Sequence, residues 1–299
     1  MKKTSIDASA LLLVLIAVLL AVGILFAVFS LRSDPIEESL AGDRVINTLF
    51  VIENTDSKGE DGTSVRPLCS YVVMYYPATK RAAVFDVPGS LGLLIQSINR
   101  VEKIETVYDT KKITAFQREI QKLLGIEISF SFVMTLENLG KITDLAEGVE
   151  VFIPTAVDEY QDNYILFPQG VNFLDGDKAK SYITYELDEE NEELILSRRQ
   201  HFFMRLLKRL GEQNQFLKTP QASSIFHSML KSETNQRNRT RLFDEFAKID
   251  TDRVSMQTVR GNVREVSGQR MIIPHWDGNL IKEIVRQTLG ALVRSADNT

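Results

Sequence analysis

Residues Ala10 to Phe29 form an unbroken run of 20 residues without one polar side chain. An α-helix rises about 1.5 Å per residue, so about 20 apolar residues cross a hydrocarbon layer roughly 30 Å thick. Lys2 and Lys3 precede the run, and Arg32, Asp34, Glu37 and Glu38 follow it. Positive charge on the N-terminal side keeps the short tail in the cytoplasm and sends the rest of the chain outside. The competing reading is a cleaved signal peptide. Such a peptide has an apolar core of about 7–15 residues and a small-x-small cleavage site. This core is longer, and the best site, Val28-Phe29-Ser30, is poor. The expectation is a single-pass protein of the cytoplasmic membrane. Residues 1–9 are its cytoplasmic tail, 10–31 its anchor and 32–44 a stalk. Residues 45–292 form one extracytoplasmic domain and 293–299 a tail.

The part beyond the anchor is long enough to bury a sizeable core. The whole chain, with 44% apolar and 25% charged residues, has the make-up of a globular protein. The net charge of −5 offers no general affinity for nucleic acid. Cys69 is the only cysteine, so no intramolecular disulfide forms. It sits in an apolar, strand-like run, which points to a buried, inert thiol.

Strand patterns cover Val45–Ile52, Ser70–Tyr76 and Arg81–Val87. The last two flank the turn Pro77-Ala78-Thr79-Lys80 and read as an antiparallel hairpin. Phe116, Ile120, Leu123 and Leu124 carry helical spacing, and Gly125 stops that helix. Ile126–Met134 alternates as a half-buried strand, Leu136–Leu145 is helical, and Val149–Ile153 is a strand. Residues 167–176 read as a turn-rich connector. Helices are expected from Asp177, over Ser197–Leu210, Ala222–Lys231, Asn238–Lys248 and Leu280–Leu292, with two strands in 253–273. Strands alternate with helices first and helices dominate later. The predicted fold class is therefore α/β, a three-layer α/β/α domain with a mixed central sheet.

Several stretches, in this order, resemble the LytR–CpsA–Psr proteins. Thr48–Ile52 followed by Thr55-Asp56-Ser57 is similar to the family's first strand and Asp-Ser loop. Phe167-Pro168-Gln169-Gly170 with Leu174-Asp175-Gly176-Asp177-Lys178-Ala179 is similar to its Gly…Leu-Asp-Gly…Ala stretch, with Tyr182 as the next aromatic. Arg199-Gln200 before an amphipathic helix looks like its Arg-Gln signature, and Val259-Arg260-Gly261-Asn262 resembles its C-terminal end. The resemblance implies a membrane-anchored domain that handles glycopolymers on a polyprenyl-pyrophosphate carrier, with peptidoglycan or another wall component as partner. It implies Asp56 as the carboxylate for Mg²⁺, Asp56 and Arg199 as catalytic residues, and Arg66, Arg198, Arg199 and Gln200 as pyrophosphate ligands. Leu94, Phe130, Phe132 and Leu136 are candidates for a lipid pocket, although apolar residues at such spacings are mostly core.

The departures from the family pattern concern charge. Where the family has Pro-Arg-Asp, this chain has Pro88-Gly89-Ser90; where it has two arginines in Val-Arg-x-Arg, Thr184 and Glu186 stand. The acidic residue after Arg66 is replaced by Cys69 or Ser70, and an arginine before Arg-Gln by Leu196. A pyrophosphate needs fixed cations, and the planar donor fork of arginine suits it. Losing one such donor typically costs about 10²-fold in rate. The resemblance therefore implies lost or altered catalysis. An active phosphotransferase with relocated charges, using Asp56, Arg66 and Arg199 with Lys178 or Lys180 in addition, and a purely structural envelope protein remain the alternatives. Asp56 reads equally as a loop residue capping a turn. His201, His227 and His275 have no metal-ligand spacing.

Overall fold

The structure, a computed structural model, describes residues 18, 36–37, 39, 44–54, 65–96, 98–159, 165–185, 192–212, 220–250, 253–274 and 278–294. The chain divides into two compact units, Met1–Gly42 and Asp43–Thr299. Of the first, Val18, Ile36, Glu37 and Ser39 are described and helical. Among the described residues no helix is long and apolar enough to cross a membrane. The rest of the apolar run, Asp56, Glu186 and His275 lie outside the described residues.

In the second unit β1 (Ile46–Asn54), β2 (Arg66–Tyr76) and β3 (Arg81–Asp86) come first. The small strands β4 (Gly92–Ile95) and β5 (Arg100–Lys103) and a 3-10 turn (Ile104–Val107) lead to α1 (Thr114–Leu124). Then follow β6 (Phe130–Thr135), α2 (Leu136–Leu145), β7 (Val149–Ile153), β8 (Val157–Glu159), β9 (Ile165–Phe167), β10 (Gly170–Leu174) and α3 (Gly176–Thr184). The helices α4 (Glu192–Glu212), α5 (Pro220–Ser228) and α6 (Gln236–Phe246) come next. β11 (Ser255–Thr258), β12 (Gly261–Val266), β13 (Gln269–Pro274) and α7 (Gly278–Arg294) end the unit.

The central sheet has the order β11-β3-β2-β1-β6 and is mixed: β1–β2 and β2–β3 are antiparallel, β1–β6 and β11–β3 parallel. β1 is buried along almost its whole length because both its faces are covered. Leu49 and Val51 join Val72, Met74 and Phe85 in a core with Phe116 and Ile120 of α1 and Ile281 and Val285 of α7. Side chains alternate along a strand, so Phe50 faces the other way. It meets Phe203 of α4 and Phe243 and Phe246 of α6 with ring centroids 5.6, 6.5 and 6.0 Å away. Helices thus lie against both faces of the mixed sheet.

Local chemistry places the ends. Gly125 closes α1 in the left-handed region at φ 69°, where a side chain would be strained. Thr135, Asp175 and Asn235 cap α2, α3 and α6 by accepting from the N–H three residues on. Gly176 lets α3 lie on α2: a Cβ there would come within 2.5 Å of the Gly140 carbonyl oxygen. Gly176→Ala is expected to lower stability by roughly 1–3 kcal/mol, because backbone must move to admit the methyl group. A thermal melt that matches wild type would contradict this close approach.

The structure corrects several element boundaries. The strand expected over Ile126–Met134 begins at Phe130. Residues 126–129 cross from α1 to the sheet, and the Gln121 side chain accepts from Ile128 N–H at 2.9 Å. The expected connector at 167–176 contains β9 and β10; β10 pairs antiparallel with β7 and turns Val171 and Phe173 to solvent. Its glycine and polar residues hide an edge strand. Three strands, not two, occupy 253–274, because β11 pairs with β3, which is remote in sequence. The helix expected from Ser197 starts at Glu192.

Candidate functional site

Tyr71 of β2 stands opposite Asp86 of β3 in the antiparallel register. With Cys69, two residues before Tyr71, they share the face of the sheet covered by α4. Beyond Asp86 the chain turns at Pro88-Gly89-Ser90. That turn is tied down by its backbone: Glu105 N–H donates to the Gly89 carbonyl at 3.1 Å, and Ile272 N–H to the Ser90 carbonyl at 2.9 Å. These bonds bring Glu105 and β13, with Arg270, to the same place. The start of α4 contributes Leu196 and Arg199. The result is a cleft of about 440 Å³ lined by these side chains.

Asp56 lies outside the described residues, and the other expected site residues have definite places. Arg199 lines the cleft, with its Nε donating to the Ile183 carbonyl at 2.8 Å. Arg66 pairs with Glu105 of the cleft wall, Nη1 to Oε1 at 3.0 Å. Arg198, a candidate pyrophosphate ligand, is buried away from the cleft. Its Nη2 donates to the Tyr185 carbonyl and its guanidinium lies 3.6 Å from the centroid of the Tyr185 ring. Arg198 borders a neighbouring cavity of about 440 Å³ with His201 and Phe152. Successive helical residues point about 100° apart, which separates Arg198 from Arg199. Gln200 is buried and donates from Nε2 to the Gln257 carbonyl at 3.1 Å. Lys180 is held by Glu137 at 2.9 Å and Asp177 at 3.0 Å, and neither it nor Lys178 lines the cleft. The Thr184 hydroxyl donates to the Lys180 carbonyl at 2.8 Å, back-bonding to its own helix.

The lipid-pocket candidates divide. Leu94 is 59% exposed on the β4–β5 hairpin, so it is corrected to a surface residue. Phe130, Phe132 and Leu136 are buried. Phe132 stacks on Phe50 with centroids 5.4 Å apart. Phe50, Phe203, Phe226 and Phe243 enclose an apolar cavity of about 20 Å³, room for roughly one water. Among the described residues, side chains fill the interior of this face.

The cleft's electrostatics rest on residues that sequence patterns missed: Asp86, Tyr71, Glu105 and Arg270. Asp86 is 2% exposed, and burial pushes its carboxyl up to about 8 against the opposing pull of Arg199. Burial also pushes the Cys69 thiol up to about 11 and the Tyr71 hydroxyl well above its ordinary value. At neutral pH these three groups are mostly uncharged, and the arginines Arg66, Arg199 and Arg270 exceed the Glu105 carboxylate. The position where the resemblance places a family arginine lies against the Glu105 side chain, whose carboxylate would have to shift to admit one. A Cβ on Gly89 would come within 2.7 Å of Glu105 Oε2. Asp86 had one legible mark, a carboxylate at the end of an otherwise apolar strand. Glu105 and Arg270 had none, because only long-range contacts bring them here.

The second unit is thus a mixed-sheet α/β domain with a cleft at its strand ends that Arg199 and Arg270 help to line. The sequence matches the LytR_cpsA_psr family over residues 55–286, and the chain belongs to that family. Among solved structures, B. subtilis TagV is similar with a TM-score of 0.69 and 15% identity, over 83% of this chain and 98% of that one. TagT bound to LI-WTA gives 0.67 and 13%, over 87% and 93%. The family protein YwtF (TagT) with bound octaprenyl pyrophosphate lipid gives 0.63 and 13%, over the same 87% and 93%. At such identities these structures share the fold. No curated protein matches the chain.

Mg²⁺ binds through several oxygen ligands, of which protein carboxylates supply one or two. Among the described residues no group of three or more acidic, histidine or cysteine side chains could hold a metal ion. In the cleft Asp86 is largely protonated and Glu105 is engaged by Arg66 at 3.0 Å and Lys103 at 3.8 Å. Asp86 and Glu105, the described carboxylates of the cleft, do not make a Mg²⁺ site by themselves, and Asp56, the ligand the resemblance implies, lies outside the described residues.

Proposed function

We propose that this protein works in cell-envelope assembly by binding a polyprenyl-pyrophosphate-linked glycopolymer, or another wall component such as peptidoglycan, with lost or altered catalysis. Residues 10–31 anchor it as a single-pass protein of the cytoplasmic membrane, with 45–292 outside. The observation that carries the reading is a cleft whose described lining sets Arg199 and Arg270 against Glu105 and the buried acid Asp86. Pyrophosphate enters that cleft and takes charge-assisted hydrogen bonds from Arg199, with Arg270 at the exposed rim. The missing cation at Gly89, with Glu105 in its space, supports weakened transfer chemistry.

A second reading is an active phosphotransferase that moves a glycopolymer from polyprenyl pyrophosphate to the cell wall. It is favoured by Asp86, a carboxyl poised near neutral pH beside Arg199, as a general base requires. A third, a structural envelope protein, is favoured by the filled apolar interior.

The test is equilibrium binding of polyprenyl pyrophosphate to the full chain in lipid nanodiscs, with and without Mg²⁺. Arg199→Ala is expected to weaken binding roughly 30-fold, about 2 kcal/mol for a lost charge-assisted hydrogen bond. A drop in affinity without Mg²⁺ would bring the metal, and Asp56, into the site. Saturable binding that ignores Arg199→Ala would remove the cleft from the reading. No binding by the wild type would leave the structural role.

A further inference from the structure

Asp86 is buried in the wall of the cleft, and its Oδ2, closed to solvent, has no hydrogen-bond partner among the described residues. A buried polar oxygen without a partner carries a free-energy penalty that is smaller for the neutral acid than for the carboxylate, so a proton sits on Asp86 at the cleft wall at lower cost than a charge. Resting on the reading of the cleft as a pyrophosphate site, we infer that Asp86 is a proton-bearing ligand. Its carboxylic acid donates a hydrogen bond to an oxygen of the pyrophosphate held by Arg199, so the anion and one proton are taken up together.

The surroundings favour this role. The Arg199 guanidinium acts on Asp86 through its charge from α4, and Cys69 and Tyr71 are near it on β2. Glu105, from the 3-10 turn, is held by Arg66 and Lys103. Arg270 from β13 lines the same cleft, and the turn adds only the Ser90 hydroxyl. Cys69 and Tyr71 titrate well above neutrality, so Asp86 is the buried group of this set whose charge changes between neutral and mildly alkaline pH.

An ionised Asp86 would oppose the anion twice. It would repel a phosphate oxygen, and it would offset the Arg199 charge. A neutral acid has neither effect and supplies a donor where Gly89 supplies none. The proton comes from solvent and stays on Asp86, so no covalent bond forms or breaks. The cleft then tolerates the loss of a motif cation, because a neutral donor needs no compensating charge.

The test is calorimetric titration of the full chain, in detergent micelles, with a short-chain prenyl pyrophosphoryl-N-acetylglucosamine. Its diester phosphates carry no proton that titrates near neutrality. Affinity is expected to fall roughly tenfold between about pH 6.5 and about pH 9, as Asp86 ionises. At about pH 8.5 the heat should depend on the ionisation enthalpy of the buffer, which reports proton uptake. Asp86→Asn keeps a donor but cannot ionise, and its pH profile is expected to be flat. Wild-type binding with neither pH dependence nor proton uptake would overturn the inference while leaving the cleft as a pyrophosphate site. So would an Asp86→Asn profile as steep as that of wild type. No binding by the wild type at any pH would overturn the reading of the site and the inference together.

Discussion

Asp86→Asn is expected to make the protein more stable than wild type at neutral and alkaline pH, with the difference vanishing in acid. An aspartate in an unfolded chain titrates near 3.9. Here burial raises the folded-state value to about 8. Between those values the folded state holds a proton that the unfolded state has released. Unfolding is therefore favoured as pH rises, by up to about 1.4 kcal/mol per pH unit for one proton. The favourable contribution is complete below about pH 4 and is lost as pH climbs to about 8. Asparagine has nothing to release, so its advantage should grow across that window to a few kcal/mol. Thermal melts of both proteins in detergent at several pH values measure this. Parallel profiles would mean that Asp86 is solvated or paired in the native state.

Phe203→Ala is expected to cost about 3–5 kcal/mol, the usual range for a buried phenylalanine that leaves a cavity. Phe203 is 2% exposed, stacks on Tyr71 with centroids 4.3 Å apart and meets Phe50 at 5.6 Å. It borders the apolar cavity of about 20 Å³, so the neighbouring rings are already close-packed and cannot collapse far into new space. The same variant separates two roles for this interior. A filled core loses stability and gains no ligand. A pocket that opens for a prenyl chain would show a small stability loss and tighter binding of polyprenyl pyrophosphate. Urea titration and lipid binding, run on the same preparation, distinguish the two.

Some of the site was legible and some was not, and Arg198, Arg199 and Gln200 show the boundary. Their proximity in sequence marks a helix start, and the Arg-Gln pair carries the family resemblance. Which of the three faces the cleft depends on how α4 is rotated against the sheet. Phe202, Phe203 and Leu206, all buried, set that rotation. The helix therefore sends Arg199 to the cleft, Arg198 onto Tyr185 and Gln200 to β11. The missing arginine at Gly89 was visible at once. That Glu105 occupies the vacated space was not, because Glu105 reaches it through a 3-10 turn and a hairpin that carries little apolar alternation.

What the amino-acid sequence determined alone is local or periodic. It includes the strand and helix order from apolar spacing, the stop of the first helix at Gly125, and the family to which the ordered motifs point. These depend on residues a few positions apart, whose geometry the backbone dictates. Tertiary structure decided the rest: the pairing of β11 with β3, the filling of the apolar face by Phe50, Phe203 and Phe243, and the burial of Asp86 beside Arg199. Burial and charge are sums over neighbours brought from distant parts of the chain. A carboxyl pushed up to about 8 is therefore a property of the folded cleft and of no segment within it.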